Sequence, residues 1–169
     1  MQPLISIIMG STSDLPVVSK AAAFLDSMCI PFEMHALSAH RTPHQVERFA
    51  SEARSRGIKV IIAAAGMAAA LPGVIAALTP VPVIGVPIRS SLEGRDALLS
   101  IVQMPPGIPV ATVGIDGAQN AAILATQILA LTDADIADRL DQWRSSLAQK
   151  IVKASADLAA INTYKYKTN

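Results

Sequence analysis

The chain has 169 residues, 51% of them hydrophobic and only 16% charged, with a formal net charge of +1. This length predicts one domain, residues 1–169, that buries about 70% of the surface of the unfolded chain. A net charge near zero provides no broad field for nucleic acid or a membrane, so it favours small molecules or further copies of the chain as partners.

Cysteine usage and the N-terminus bear on the compartment. Cys29 is the only cysteine, so no disulfide can form within the chain, and we predict a core position for it at the end of the first helix. The N-terminus lacks the basic region that opens a signal peptide. These features predict a cytoplasmic protein.

Apolar runs alternate with helical patterns, which predicts repeated βα units around a parallel sheet. The predicted strands cover residues 4–9, 32–37, 59–64, 81–86 and 108–113. The predicted helices cover residues 15–28, 42–57, 71–78, 92–102, 117–131 and 132–160. Residues 60–88 carry no charge, but their glycines and prolines leave no unbroken apolar segment of about 20 residues, so we predict no membrane helix.

Local signals refine two of these helices. Thr42, Pro43 and Gln45 have the spacing of a capping box with proline at the first helical position, and Gly57 is expected to end that helix. Thr132 is expected to cap the last helix. Apolar side chains almost surround the helix over residues 117–131, so we expect one face on the sheet and the other on a neighbouring subunit.

Five βα units with right-handed crossovers predict a flavodoxin-like α/β fold, a three-layer sandwich with a parallel five-stranded sheet of order 2-1-3-4-5. A C-terminal helical extension starts at about residue 132 and ends in a basic tail. In such a sheet the loops after strands one, two and three meet beside the first strand, where ligands bind. Those loops hold residues 11–14, 38–41 and 65–70.

The loop after the first strand has the composition of a phosphate-binding turn. Small residues let backbone N–H groups approach an anion, and the hydroxyls of Ser11 and Ser13 add donors at a helix N-terminus. About half of such turns merely cap a helix. Asp14 is either a helix-terminal carboxylate or an acceptor for a ribose hydroxyl, and taken alone the cap is favoured.

The loop after the second strand combines an imidazole with a guanidinium. His40 is a candidate acid or base, and Arg41 can hold a phosphate or carboxylate by two parallel hydrogen bonds. The alternatives are a loop-fixing hydrogen bond for His40 and a surface salt bridge for Arg41. His44 follows His40 by four residues, but the helix begins between them, so no metal site is predicted. His44 is expected in solvent and His35 packed within its strand.

The loop after the third strand offers backbone donors and no ionisable side chain. It is suited to a carboxylate or a flat ring, or it is only a tight turn from sheet to helix. The proline-rich segment over residues 100–109 is suited to covering a pocket or to packing between elements.

Taken together, these motifs resemble the small PurE-type enzymes of purine biosynthesis, the N5-carboxyaminoimidazole ribonucleotide mutases. The similar segments span nearly the whole chain, at residues 9–14, 38–43, 60–63, 71–73, 82–87, 100–109 and 120–122. The resemblance implies a homo-octamer with active sites built between subunits. It also implies transfer of a carboxylate from the exocyclic N5 to ring C4 of the ribonucleotide, with no metal, cofactor or ATP.

The resemblance also implies roles for individual residues. Phosphate would be held by Ser11, Ser13 and Arg41, and ribose by Asp14. The proton shuttle would be His40, since one base that titrates near neutrality, as histidine does, can remove the C4 proton after ring attack on CO2. The full set of expected substrate-binding residues is Ser11, Ser13, Asp14, Ser38, Arg41, Gly66 and Ala68.

The chain departs from the resemblance at two places. Ala70 stands where many relatives have histidine, so orientation of the carboxylate or CO2 is left to backbone donors. The connection over residues 88–96 is about one residue shorter than is usual in the family. Arg41 favours the mutase over an aminoimidazole ribonucleotide carboxylase using free CO2, whose relatives tend to have lysine there. A flavin carrier is disfavoured by an aromatic content of 4%, and a non-catalytic phosphosugar-binding module is the remaining alternative.

Overall fold

Five parallel strands form one sheet in the order 2-1-3-4-5, which confirms the predicted topology. The computed structural model describes all 169 residues. Its strands are β1 (Ile5–Met9), β2 (Phe32–Ala36), β3 (Val60–Gly66), β4 (Val83–Ile88) and β5 (Ala111–Thr112). Its helices are α1 (Leu15–Ser27), preceded by a 3-10 turn at Thr12–Asp14, α2 (Pro43–Ala53), α3 (Leu71–Leu78), α4 (Arg95–Val102), α5 (Ala118–Ala130) and α6 (Ala134–Ala159).

The central strands are buried on both faces. Ile7 of β1 lies between Met34 of β2 and Ile62 of β3 in the register of the sheet. Because helices cover both faces, these strands are nearly continuous apolar runs without the alternation of a half-exposed strand. The loops after β1, β3 and β4 therefore start from strands that are buried on both faces.

Alternate residues of β1, β3 and β4 enter two apolar clusters, one on each face of the sheet. Ile7 packs with side chains of α1, α5 and α6, whereas Ile8 packs with side chains of α2, α3 and α4. Helices on both faces make the three layers that the sequence predicts. None of the helices is both long and apolar enough to span a membrane.

Two helix caps differ from the predictions. Thr42 occupies the N-cap position of α2, but its hydroxyl accepts a hydrogen bond from the N–H of Ser38 and also contacts the Ser38 carbonyl, so no capping box with Gln45 forms. The hydroxyl is used to close the loop between β2 and α2. At α6 the cap is Asp133, whose carboxylate accepts from the N–H of Ile136.

Several predicted boundaries were also wrong. β4 is shifted towards the carboxyl end, and β5 has only two residues, since the preceding segment contains three prolines without N–H donors. α4 begins three residues later than expected because Leu92 and Glu93 have φ values of +41° and +58°. α2 ends at Ala53, and Gly57, with φ +85°, closes the turn that follows it.

The core position predicted for Cys29 was wrong. Cys29 is exposed and has φ +53°, because it reverses the chain directly after α1. The neighbouring Met28 and Ile30 take the core positions on either side of it.

The second face of α5 is covered within the chain and does not require a neighbouring subunit. α1 and α6 pack against it, and the part-buried Ile123, Leu124 and Ile128 belong to this contact. Exposed apolar side chains lie instead on the second half of α6, at Leu147, Ile151, Val152 and Leu158.

Candidate active site

A cavity of about 610 Å³ opens at the carboxyl edge of the sheet. Loops from β1, β2, β3 and β4 form its walls, so it lies at the switch point beside β1. All eight residues expected in the site line it: Ser11, Ser13, Asp14, Ser38, His40, Arg41, Gly66 and Ala68. The sequence predicted three of these loops, and the β4 loop was missed.

The β1 loop presents backbone donors that no backbone carbonyl accepts; the N–H of Ser11 points to the carboxylate of Asp14, and the N–H of Thr12 is free. The hydroxyl of Ser11 accepts a hydrogen bond from the N–H of Ser13 at 3.3 Å, which fixes the turn. The N–H groups of Ser11 and Thr12 donate to no backbone carbonyl. Because they stand at the start of a helix, these N–H groups are suited to an anion.

Asp14 is buried but does not cap α1. It occupies the N-cap position without a side-chain capping bond, and its exposed fraction is 8%. Burial raises the pKa of Asp14, while hydrogen bonds from Ser13 and Ser11 and the charge of Arg41 only partly offset that effect. The cap that the sequence favoured is thus absent, and the carboxylate faces the cavity with few partners.

Arg41 bridges the first two loops. Its Nη2 donates to the carbonyl of Gly10 at 2.8 Å, and its Nε donates to the hydroxyl of Ser38 at 3.3 Å. Ser38 also accepts from the backbone N–H of Arg41 at 3.2 Å. Arg41 makes no salt bridge, so the alternative of a surface ion pair is excluded. The guanidinium is held beside the β1 turn with donors left over for a ligand.

His40 is exposed at the cavity and its imidazole makes no hydrogen bond within the chain. The alternative role, holding the loop by such a bond, is therefore not observed; Ser38 and Thr42 hold the loop. An unbonded imidazole next to a phosphate-type turn has both nitrogens available for proton exchange with a ligand.

The β3 loop turns sharply under the cavity. Met67 has φ +56°, and the N–H groups of Ala69 and Ala70 donate to carbonyls of the same turn at 2.9 and 2.7 Å. The N–H groups of Met67 and Ala68 donate to no backbone carbonyl. Gly66 pairs with Ile88 of β4. The loop brings backbone donors without an ionisable side chain to the cavity, as predicted, and its alanine and methionine side chains are apolar.

The β4 loop contributes Arg89 and Ser90, which the sequence analysis missed. The Nε of Arg89 lies 3.4 Å from Oδ2 of Asp116, in the loop before α5. Both residues could have been found from the topology, because β4 ends at the same edge as β1 and β3. Its first polar residues therefore had to lie beside the predicted site.

The other two histidines lie outside the cavity. His35 is 3.3 Å from Oε1 of Glu33 without hydrogen-bond geometry, and its ring tilts against Phe49 at 5.7 Å between centroids. The side chain of His44 is 96% exposed. No three His, Cys, Asp or Glu side chains gather closely enough to hold a metal ion.

A family model described as AIR carboxylase matches residues 4–150. The chain belongs to this family. The resemblance inferred from the motifs is thereby confirmed.

Relatives within the AIR carboxylase family carry two names. An N5-carboxyaminoimidazole ribonucleotide mutase of Pyrococcus abyssi is 58% identical over 146 residues, covering 86% of this chain and 84% of that protein. A phosphoribosylaminoimidazole carboxylase of Candida glabrata is 51% identical over 166 residues, covering 98% of this chain but only 29% of that protein. The crystal structure of Treponema denticola PurE has a TM-score of 0.85 and 35% identity, covering 92% of this chain and 98% of that one.

Proposed function

We propose that this chain is an N5-carboxyaminoimidazole ribonucleotide mutase. It is an isomerase that moves a carboxylate from N5 to C4, giving 4-carboxy-5-aminoimidazole ribonucleotide in purine biosynthesis. The observation that carries the proposal is the meeting of the β1 turn, Arg41 and the unbonded His40 in one cavity of a chain that belongs to this family.

The substrate phosphate binds at the β1 turn. Its oxygens accept from the N–H groups of the turn, from the hydroxyls of Ser11 and Ser13, and from Arg41, which is already positioned by Gly10 and Ser38. The ribose hydroxyls donate to Asp14. Such bonds give the buried carboxylate the partners that the protein alone does not supply.

The reaction needs one proton carrier. The bond between N5 and the carboxylate carbon breaks and releases CO2, while N5 regains a proton from His40. The electron-rich ring then attacks CO2 through C4, forming the new carbon–carbon bond, and the C4 proton passes back to His40 as the ring recovers its aromaticity. The imidazole ends in its initial state, so one histidine completes the cycle.

The β3 loop retains the intermediate CO2. Its alanine side chains and Met67 make an apolar wall, and apolar surroundings do not compete with the ring for CO2 as water would. The free N–H groups of Met67 and Ala68 are available to a carboxylate oxygen.

The second candidate is an aminoimidazole ribonucleotide carboxylase. It is favoured by the Candida glabrata relative, which bears a carboxylase name and is 51% identical. The chain spans less than a third of that protein, whereas it spans most of the Pyrococcus abyssi mutase.

Two parallel assays with different substrates decide between the two enzymes. The purified protein is supplied with freshly made N5-carboxyaminoimidazole ribonucleotide without bicarbonate, or with aminoimidazole ribonucleotide and excess bicarbonate. Rapid formation of the C4-carboxylated product in the first assay alone supports the mutase. Rapid product formation in the second assay alone supports the carboxylase, and turnover in neither would leave only a binding module.

We also propose that the protein acts in the cytoplasm as a homo-oligomer, an octamer by family resemblance. Oligomerisation is supported by the second half of α6, where Leu147, Ile151 and Leu158 are exposed at helical spacing. Light scattering is expected to give a mass several times 17.7 kDa. A monomer at micromolar concentration would contradict this proposal.

A further inference from the structure

Arg89 lines the cavity on the flank opposite Arg41, and the function described above does not use it. Its side chain is 63% exposed. Neither terminal nitrogen donates a hydrogen bond within the chain. A guanidinium with free donors at the wall of a ligand cavity can bind an oxyanion.

Asp116 fixes the direction of Arg89. Its Oδ1 accepts from the backbone N–H of Arg89 at 2.9 Å, and its Oδ2 is 3.4 Å from Arg89 Nε. The N–H of Asp116 donates to the carbonyl of Pro87 at 2.8 Å, which ties this residue to the end of β4. Asp116 has φ +58°, a strained conformation that these contacts maintain. With Nε and the backbone engaged, the terminal nitrogens remain for a ligand.

The two arginines stand far enough apart to hold different groups of one ligand. Arg41 follows β2, and its guanidinium bonds to the carbonyl of Gly10 directly after β1. Arg89 follows β4, which lies two strand spacings from β1 in the order 2-1-3-4-5, or about 10 Å between those strands. Apart from His40, the only ionisable side chains lining the cavity are Asp14, Arg41 and Arg89. A ligand with anionic groups at both ends therefore meets one guanidinium at each end.

We propose that Arg89 binds the migrating carboxylate of the ribonucleotide and that Asp116 is its positioning residue. This proposal rests on the proposed function, which places the phosphate at Arg41. The imidazole ring then lies towards the β3 and β4 loops, with its carboxylate next to Arg89. A cation on this flank supplies the charge that Ala70, which lines the same cavity, cannot, so the carboxylate is not left to backbone donors alone.

Two ribonucleotides that differ only in the carboxylate test the assignment. Dissociation constants of 4-carboxy-5-aminoimidazole ribonucleotide and of aminoimidazole ribonucleotide are measured by calorimetry for the wild type, Arg89→Met and Asp116→Asn. Arg89→Met is expected to raise the dissociation constant of the carboxylated ribonucleotide about 10- to 100-fold and that of aminoimidazole ribonucleotide by less than about threefold. Asp116→Asn is expected to cause a smaller loss, again confined to the carboxylated ligand.

Two control variants complete the design. Arg95→Met removes an arginine of the same connection that pairs with Glu93 at 2.8 Å and lies outside the cavity, so both affinities should persist. Arg41→Met should weaken both ligands alike, because both carry the phosphate. Thermal melting checks that each variant is folded, and Arg89→Gln replaces any Arg89→Met protein that is not.

The outcomes separate this proposal from the proposed function. Equal weakening of both ligands by Arg89→Met, or weakening of neither, overturns the role of Arg89 and leaves the mutase intact. A wild-type protein that binds neither ribonucleotide overturns both.

Discussion

Asp14 in the cavity and Glu33 on β2 are two carboxylates whose pKa values are shifted in opposite directions. Burial raises the pKa of Asp14, and its few hydrogen bonds do not compensate. Burial alone would also raise the pKa of Glu33, but hydrogen bonds from Ser6 and Arg56, with the charges of Arg56 and His35, outweigh it and lower that pKa.

The difference follows from what surrounds each group. Ser6 donates to Oε1 of Glu33 at 2.6 Å, and Arg56 bonds to the same oxygen while its guanidinium lies 5.6 Å from the centre of the Phe49 ring. The chain itself thus completes the shell of Glu33, which joins β2 to β1 and to the end of α2. Asp14 lacks such a shell, which agrees with its proposed role in binding a ligand. The comparison separates a carboxylate of the scaffold from one of the site.

The largest expected effect is on turnover at the cavity. His40→Asn keeps the size of the side chain and some hydrogen bonding but cannot exchange a proton near neutrality. The rate should fall by a factor on the order of 100 or more, with ligand binding and oligomer size close to wild type. Steady-state kinetics and calorimetry measure the two properties.

His44→Asn, at an exposed position, is the matched control and should be fully active. Retained turnover in a correctly assembled His40→Asn protein would remove histidine from the mechanism. His40 would then no longer differ from residues that only support the fold.

Arg41 is expected to affect affinity more than rate. Arg41→Lys keeps the charge but loses the fork that contacts Gly10 and Ser38 and that we propose to hold the phosphate, so ligand binding should weaken by about 1–3 kcal/mol. Calorimetric titration with aminoimidazole ribonucleotide measures this loss. Arg48→Lys, an exposed substitution on α2, should change nothing, and an unchanged dissociation constant for Arg41→Lys would assign Arg41 to the fold alone.

Glu33 should affect stability without affecting activity. Glu33→Gln removes a charged acceptor whose side chain is only 20% exposed, which should cost about 1–3 kcal/mol of unfolding free energy at pH 7. Because the folded pKa of Glu33 is lowered, this contribution is present above the unfolded value of 4.5 and is lost as pH falls through the folded pKa.

Urea unfolding at several pH values checks that pattern. Glu52→Gln, an exposed substitution on α2, is the control and should leave stability unchanged. If the difference in unfolding free energy between wild type and Glu33→Gln stays constant as pH falls, packing and not charge is responsible for it.

Replacing Asp14 should change stability in the opposite direction from replacing Glu33, and by a smaller amount. Because its folded pKa is raised, the ionised carboxylate opposes folding above that pKa, and the penalty disappears as pH falls towards 3.8. Asp14→Asn should therefore raise the melting temperature at neutral pH while weakening ribonucleotide binding. The gain should shrink on acidification, and Asp26→Asn, an exposed change on α1, should give neither effect. A lower melting temperature for Asp14→Asn would assign Asp14 to the scaffold.

Sequence patterns predicted the sheet order and the positions of three loops because they depend on local periodicity and on the handedness of βα units. The runs over β1 and β3 are apolar enough to be central, and Ser11, Asp14, His40 and Arg41 follow strands whose carboxyl ends must meet. The family resemblance depends on the same local segments.

Only the tertiary structure determined the hydrogen-bond partners and the direction of several side chains. The hydroxyl of Thr42 bonds to Ser38 and not to the first turn of α2, Cys29 turns outwards at a left-handed position, and Asp116 reaches Arg89 across 27 residues of sequence. Each choice depends on distances between segments remote in sequence, which no local pattern contains. The amino-acid sequence therefore determined where the candidate site lies, and packing of the loops determined which polar atoms of its side chains have no partner within the chain.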